Sequence, residues 1–384
     1  MKITLEEIFS FSESELENQL NKFEDLTKYS NKLEKLNAVI IHNFNNNNLN
    51  KKESKIVESE KYNKIIKLNL TYSEFIKNFI QNKFQKIQIN INFNLLKSWP
   101  NAKYIKTLSD NNDEDAISSI TLNEKYLFTG SYEIINIWSI SNNNFGELIT
   151  TFQAHNRFIF ALILNEQYLF SGSYQEIKIW DISDDNLGKL VKTIKTNDEI
   201  YSLCLNEKYL FSGSYKFTQI WDINSFNLIK TLEASYSVNS ICLNEKYLFV
   251  GSHQEIKIWN ISDTNFGELF LNLKQDDMIY SLILNENYLF SGTFNKIEIW
   301  DISDNNFGKL VKTIQSSNQN NSLYLKNNYL FGSNDDGEFK MWNISKFDLI
   351  QQFENEINIY RLILNDRYIF AGLKNGTVKI WEKD

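Results

Sequence analysis

An all-β seven-bladed propeller, preceded by a small, mainly helical N-terminal region, is the fold class that this sequence predicts. Three observations predict it: a phrase that recurs seven times, period-two alternation inside that phrase, and a fragment upstream that supplies what the last copy lacks. The phrase is a short apolar run, Asn-Glu, Tyr-Leu-Phe, Gly-Ser and then Ile-Lys-Ile-Trp. Its tryptophans are Trp138, Trp180, Trp221, Trp259, Trp300, Trp342 and Trp381, 38 to 42 residues apart. Self-similarity at that period marks a repeat architecture.

The second copy shows the unit. Phe158–Leu164 reads as a first strand, Tyr168–Ser171 as a second, Ile177–Trp180 as a third after a Gly172-Ser173 turn, and Lys189–Ile194 as a fourth. Four short antiparallel strands cannot bury both faces alone, whereas seven such sheets set radially bury one another. The last copy stops at Trp381-Glu382-Lys383-Asp384, after its third strand. Lys103-Tyr104-Ile105-Lys106-Thr107-Leu108 matches the fourth-strand phrases Lys189–Ile194 and Lys309–Ile314. Residues 103–108 are therefore expected to complete the seventh blade, leaving no open sheet edge in the ring. Residues 100–384 form the propeller in this reading.

Residues 1–99 show no repeat. Ser12 and Glu15 make a capping box, and Leu16, Leu20, Phe23, Leu26, Leu33 and Leu36 follow at helical spacings, predicting a helix over roughly 13–40. It serves either a helical bundle or a dimerising coiled coil, and so offers a route to a homo-oligomer. The asparagine-rich residues 42–52 read as a loop. Thr71 and Glu74 cap a second helix over ~73–86, and residues 87–93 alternate as a strand or extended linker would. Trp99-Pro100 marks the passage into the repeats.

The phrases Ser-Gly-Ser-Tyr-Gln-Glu-Ile-Lys-Ile-Trp-Asp at 171–181, Ser-Gly-Ser-Tyr…Ile-Trp-Asp at 212–222 and Ser-Gly-Thr-Phe…Ile-Trp-Asp at 291–301 resemble the WD-repeat family. The resemblance covers about residues 103–384. It implies a propeller, non-catalytic protein–protein binding, and a bonded set of Asp, His, Ser/Thr and Trp in each blade. Here the Trp is always present, the hydroxyl stands at Thr129, Ser171, Ser212 and Ser291, and His155 alone occupies the histidine's place. The first five units run ten residues from Phe to Trp and lack the turn aspartate. The polar set is therefore not carried over, and aromatic packing is expected in its stead.

Composition narrows function. The net charge is −8, yet residues 1–99 hold 15 Lys against 12 acids, so the repeats carry −11. Such a balance argues against nucleic acid, which needs clustered cations. The two cysteines, Cys204 and Cys242, share one slot of successive repeats and read as core residues rather than a disulfide or metal pair. No apolar run of 18 residues and no signal-like N-terminus occur, so a soluble protein of the cytoplasm or nucleus, without membrane insertion, is expected. No phosphate loop, metal-ligand spacing or nucleophile motif is present, so no enzyme and no cofactor is expected.

In the geometry that the family implies, the turn after the second strand and the lead-in to the first strand share one face. The turn positions are Tyr132, Tyr174, Tyr215, His253 and Phe294, and the lead-in positions include Phe160, Tyr201, Tyr280 and Tyr360. Aromatic side chains with polar tips dominate binding hot spots. With Asp198, Glu199, Asp276 and Asp277 nearby, and Arg157 and Arg361 as exceptions, a basic and apolar peptide is the expected partner. The competing reading is that these rings merely cover blade ends. An adaptor or scaffold follows as the leading function, with the N-terminal region as a docking module. The alternative is a substrate receptor of a ubiquitin ligase, whose N-terminal region docks the ligase core.

Overall fold

The computed structural model describes residues 102–110, 115–141, 143–262, 265–316, 318–353 and 357–383. The helices expected over 13–40 and 73–86, the 42–52 loop, the alternating 87–93 segment and the Trp99-Pro100 passage lie outside the described residues.

The repeats form seven antiparallel sheets around a central channel. Blade 2 is representative, with strands Ala161–Leu164, Tyr168–Ser173, Glu176–Asp181 and Lys189–Lys195 running from channel to rim. The first strand begins three residues later than the alternation suggested. Phe158 ends the outer strand of blade 1, Leu148–Phe158, and the chain then crosses into blade 2. In blade 4 the second and third strands run on as one segment, Tyr247–Asn260, so that sheet counts three elements. In blade 7, Lys103–Leu108 pairs antiparallel with Val378–Glu382, Leu108 opposite Val378. One blade is thus built from both ends of the ring.

Alternation within the strands sends one face of each blade into the next. Phe128, Phe170, Phe211, Phe249, Phe290, Phe331 and Phe370 are fully buried. Phe170, Ile177 and Ile179 of blade 2 pack against Leu210 and Trp221 of blade 3, and equivalent clusters fill the interfaces 1–2, 3–4, 4–5, 5–6 and 7–1. Burying one such ring contributes roughly 1.5–3 kcal/mol.

The glycine of the repeated phrase lies inside the second strand, not in a turn. Its reason is close approach: a Cβ on Gly172 would meet Ile200 Cγ2 at 2.6 Å, and one on Gly213 would meet Val238 Cγ1 at 2.6 Å. These apolar residues lead into the next blade and are fully buried. The same residues donate backbone N–H groups across the interface, Ile200 to Ser173 O at 2.9 Å and Val238 to Ser214 O at 3.0 Å. The turn that follows takes its left-handed residue from a side-chain-bearing position, as at Gln175 (φ 57°) and Gln254 (φ 62°).

In every blade the outermost ladder slips by one residue opposite the tryptophan. The extra residue is Ile105, Ile149, Val191, Ile229, Phe270, Val311 or Ile350, each 37–50% exposed. Bulges of this kind distort an edge strand.

On the far face, the recurring Asn-Glu-Lys-Tyr segments are Asx turns. Asn123, Asn206 and Asn244 each accept the backbone N–H groups of the residues two and three further on, at 2.7–3.0 Å.

Candidate functional site

The polar set of the repeats is partly retained, against the expectation that aromatic packing replaces it. The indole N–H of Trp138, Trp180, Trp221 and Trp300 donates to Thr129, Ser171, Ser212 and Ser291 at 2.8–3.1 Å. In blade 2 the set is complete. His155, on the outer strand of blade 1, lies 2.7 Å from Ser171 Oγ through Nε2 and 2.9 Å from Glu176 Oε1 through Nδ1. The acid that seemed missing is Glu176, four residues before the tryptophan on the third strand rather than in the turn.

Protonation follows from the partners. Burial holds the His155 imidazole down at about 4, so it is neutral near pH 7. Burial pushes the Glu176 carboxyl up, but hydrogen bonds from Lys195, His155 and Lys178 prevail and hold it at about 2. A carboxylate only accepts, so Nδ1 carries the imidazole proton and Nε2 accepts from the Ser171 hydroxyl. Donation thus runs one way, from Trp180 through Ser171 and His155 to Glu176. Blade 4 keeps half of this. Glu255 accepts the Ser235 backbone N–H at 3.2 Å and the Asn272 amide at 2.9 Å. Burial opposes its charge, yet these bonds and Lys257 hold its carboxyl below the usual range.

Blade 4 has Val250 where a hydroxyl stands in blade 1, and the buried Trp259 Nε1 makes no hydrogen bond. Val250→Thr, copying Thr129, is expected to stabilise the protein by about 0.5–1.5 kcal/mol. Urea unfolding checks this; no gain would show that the side-chain hydroxyl cannot reach the indole.

The channel mouth is built by a column of first-strand residues: Ser119, Ala161, Ser202, Ser240, Ser281, Ser322 and Arg361. The serines join blades. Ser119 donates to Ile159 O at 2.6 Å, and Ser202 and Ser281 donate to Val238 O and Asn320 O at 2.9 Å. Ser240 and Ser322 accept the N–H of Leu282 and Leu362 at 2.8 and 3.1 Å. This inner ring of polar links escaped the sequence reading, although the recurring serine column signals it.

The mouth encloses a cavity of about 180 Å³ whose lining includes Phe160, Tyr201, Tyr280, Asn239, Asn321 and Arg361. Of the expected aromatics, then, Phe160, Tyr201 and Tyr280 reach the channel, while Tyr360 contributes a carbonyl to Arg361. Tyr132 stands edge-on to Phe158 at 5.0 Å, Phe158 lies 6.2 Å from Phe160, and Phe160 lies 5.5 Å from Tyr201. These four make a stripe from the outer turn of blade 1 to the channel, and its bridging member, Phe158, was not anticipated. Tyr174, Tyr215 and Phe294 are 46–47% exposed and isolated from the stripe among the described residues. Tyr174 lines a separate cavity of about 310 Å³ with Arg157 and Lys195. His253 is half-buried and stands edge-on to Tyr236 at 5.0 Å.

The described residues hold no cluster of three or more His, Cys, Asp or Glu able to bind a metal ion. Cys204 and Cys242 are free thiols, and burial pushes the Cys204 thiol well up.

A comparison with curated proteins finds no match. Among solved structures, the computationally designed Ika8 protein is similar at 18% identity. The alignment covers 70% of this chain and 96% of that chain, with a TM-score of 0.55, which is a likeness of fold alone. Residues 146–181 match the family model described as WD domain, G-beta repeat. That stretch runs from the outer strand of blade 1 through the third strand of blade 2 and contains the complete Trp180–Ser171–His155–Glu176 set. With this unit built seven times into a closed ring, the chain is a seven-bladed β-propeller, and its second repeat is similar to the WD repeat.

Proposed function

We propose that the protein is a non-catalytic interaction scaffold that binds an extended peptide segment of a partner across the mouth of the propeller. WD-repeat propellers commonly mediate protein–protein interaction, and one observation carries the reading to this face. The stripe Tyr132–Phe158–Phe160–Tyr201 stays partly open to solvent while leading into a channel cavity. Rings that only covered blade ends would sit under neighbouring loops, but Phe158 is 38% exposed. Phe and Tyr offer large rigid surface at little entropic cost.

The test is selection of a random peptide library on the full chain, followed by binding of the enriched peptides to Phe158→Ala. The expected result is a loss of about thirtyfold, the size of a hot-spot truncation, with an unchanged melting temperature. A library that yields no enriched peptide, or peptides that bind Phe158→Ala equally well, would overturn the reading.

A further inference from the structure

Arg361 breaks the pattern of the channel mouth. Five of the other six blades place serine at its position and the sixth places alanine, so an arginine there answers no need of the repeat. Its Nη1 donates to Tyr360 O at 2.9 Å and to Asn321 O at 3.5 Å. Its Nε and Nη2 make no hydrogen bond, and no carboxylate pairs with it, among the described residues. Arg361 is half-buried as a residue and lines the cavity, and burial alone lowers its guanidinium from the ordinary value.

Four acids of the rim, Asp198 apart, are in the opposite condition. Asp276 pairs with Lys296 at 3.2 Å, Asp277 accepts the Met278 N–H at 2.7 Å, and Glu199 accepts the Tyr201 hydroxyl. Asp335 accepts the Asn321 amide. Counted by formal charge the face is acidic; counted by unmet hydrogen-bonding capacity, the channel is short of an anion.

We infer that the channel mouth receives one carboxylate, an Asp or Glu side chain of the bound peptide, held by Arg361 while the neighbouring apolar residues lie along the Phe158–Phe160–Tyr201 stripe. This rests on the peptide-binding reading above and names the chemistry of the ligand. Nε and Nη2 present two parallel N–H groups, the fork that a carboxylate accepts in bidentate fashion. A singly charged group fits better than a phosphoryl group. The cavity lining holds one cation, and Glu199, Asp277 and Asp335 stand close enough to the mouth to penalise a second negative charge. Those same carboxylates deny the guanidinium nothing, since each is already bonded.

The experiment selects the same random peptide library in parallel on the full chain, on Arg361→Gln and on Arg361→Lys, with the fold of each checked by thermal unfolding. Peptides from the full chain should be enriched in Asp or Glu beside aromatic or aliphatic residues. They should bind Arg361→Gln at least about tenfold more weakly, with Arg361→Lys in between. Changing their acid to Gln or Asn should produce the same loss on the full chain and none on Arg361→Gln. Enriched peptides without acids, or with equal affinity for folded Arg361→Gln, would overturn this inference and leave the peptide-binding reading standing. Failure to enrich any peptide would overturn both. If Arg361→Gln does not fold, the acid-to-amide peptide pair on the full chain decides alone.

Discussion

Replacing Leu108 with alanine in the full chain should lower stability by about 2–5 kcal/mol, although Leu108 ends a six-residue strand at the margin of the ring. Leu108 is 2% exposed and packs with Ile117, Trp138, Val378 and Ile380, which come from blades 7 and 1. It is therefore the buried anchor of the one strand that joins the two ends of the repeats. Ile105, in the same strand, is 40% exposed on the bulge, and Ile105→Ala should stay within about 0.5 kcal/mol. Chemical denaturation gives the two values. Hydrogen exchange supplies the mechanism, because loss of the anchor should speed exchange in Val378–Glu382 before it does so elsewhere. Equal effects of the two substitutions would mean that this strand adheres by backbone pairing alone.

The second large effect concerns acid. His155 and Glu176 take protons more readily unfolded, at ordinary values of 6.5 and 4.5, than folded, at about 4 and about 2. Above pH 6.5 neither state gains a proton, so these groups add no slope. From pH 6.5 down to about 4 the unfolded chain binds a proton at His155 that the folded chain refuses, and stability falls. From pH 4.5 down to about 2 the same holds for Glu176, and stability falls further. The His155 step is worth on the order of 3 kcal/mol. The Glu176 step is smaller, because Lys195, the main partner holding its charge, is exposed to screening solvent, and the two are not additive because the groups share a hydrogen bond. Urea unfolding between pH 7 and pH 3 should therefore show a steep decline. Glu176→Gln should begin lower at pH 7 and lose much of the slope below pH 4.5. Parallel profiles for the two proteins would refute this linkage.

Blade number and strand order were legible because duplication writes the same strand pattern seven times, and the upstream phrase of residues 103–108 matched the outer strands closely enough to stand out. What escaped was whatever depends on a neighbour in the next blade. The glycine of the phrase reads as a turn residue because its partner, Ile200 for Gly172, comes 28 residues later. Glu176 was overlooked because the family's acid is sought in the turn; its recurrence as Glu255, four residues before Trp259, was the available signal. Phe158 was absorbed into a first strand because alternation continues across the crossing between blades. The state of the rim acids was not legible either, because a charge count does not register that Asp276 already holds Lys296.

The slipped outer ladders have a consequence for how such a chain can grow. An intact, flat edge strand is a template on which a second molecule can add its own strand, and successive additions lead to fibres. Each of the seven rims carries its own interruption at the same place, so the safeguard is copied whenever the unit is copied. Duplication can therefore lengthen the gene without creating a polymerising edge in the product, and the seven exposed aliphatic or aromatic bulge residues are the visible trace of that inherited protection.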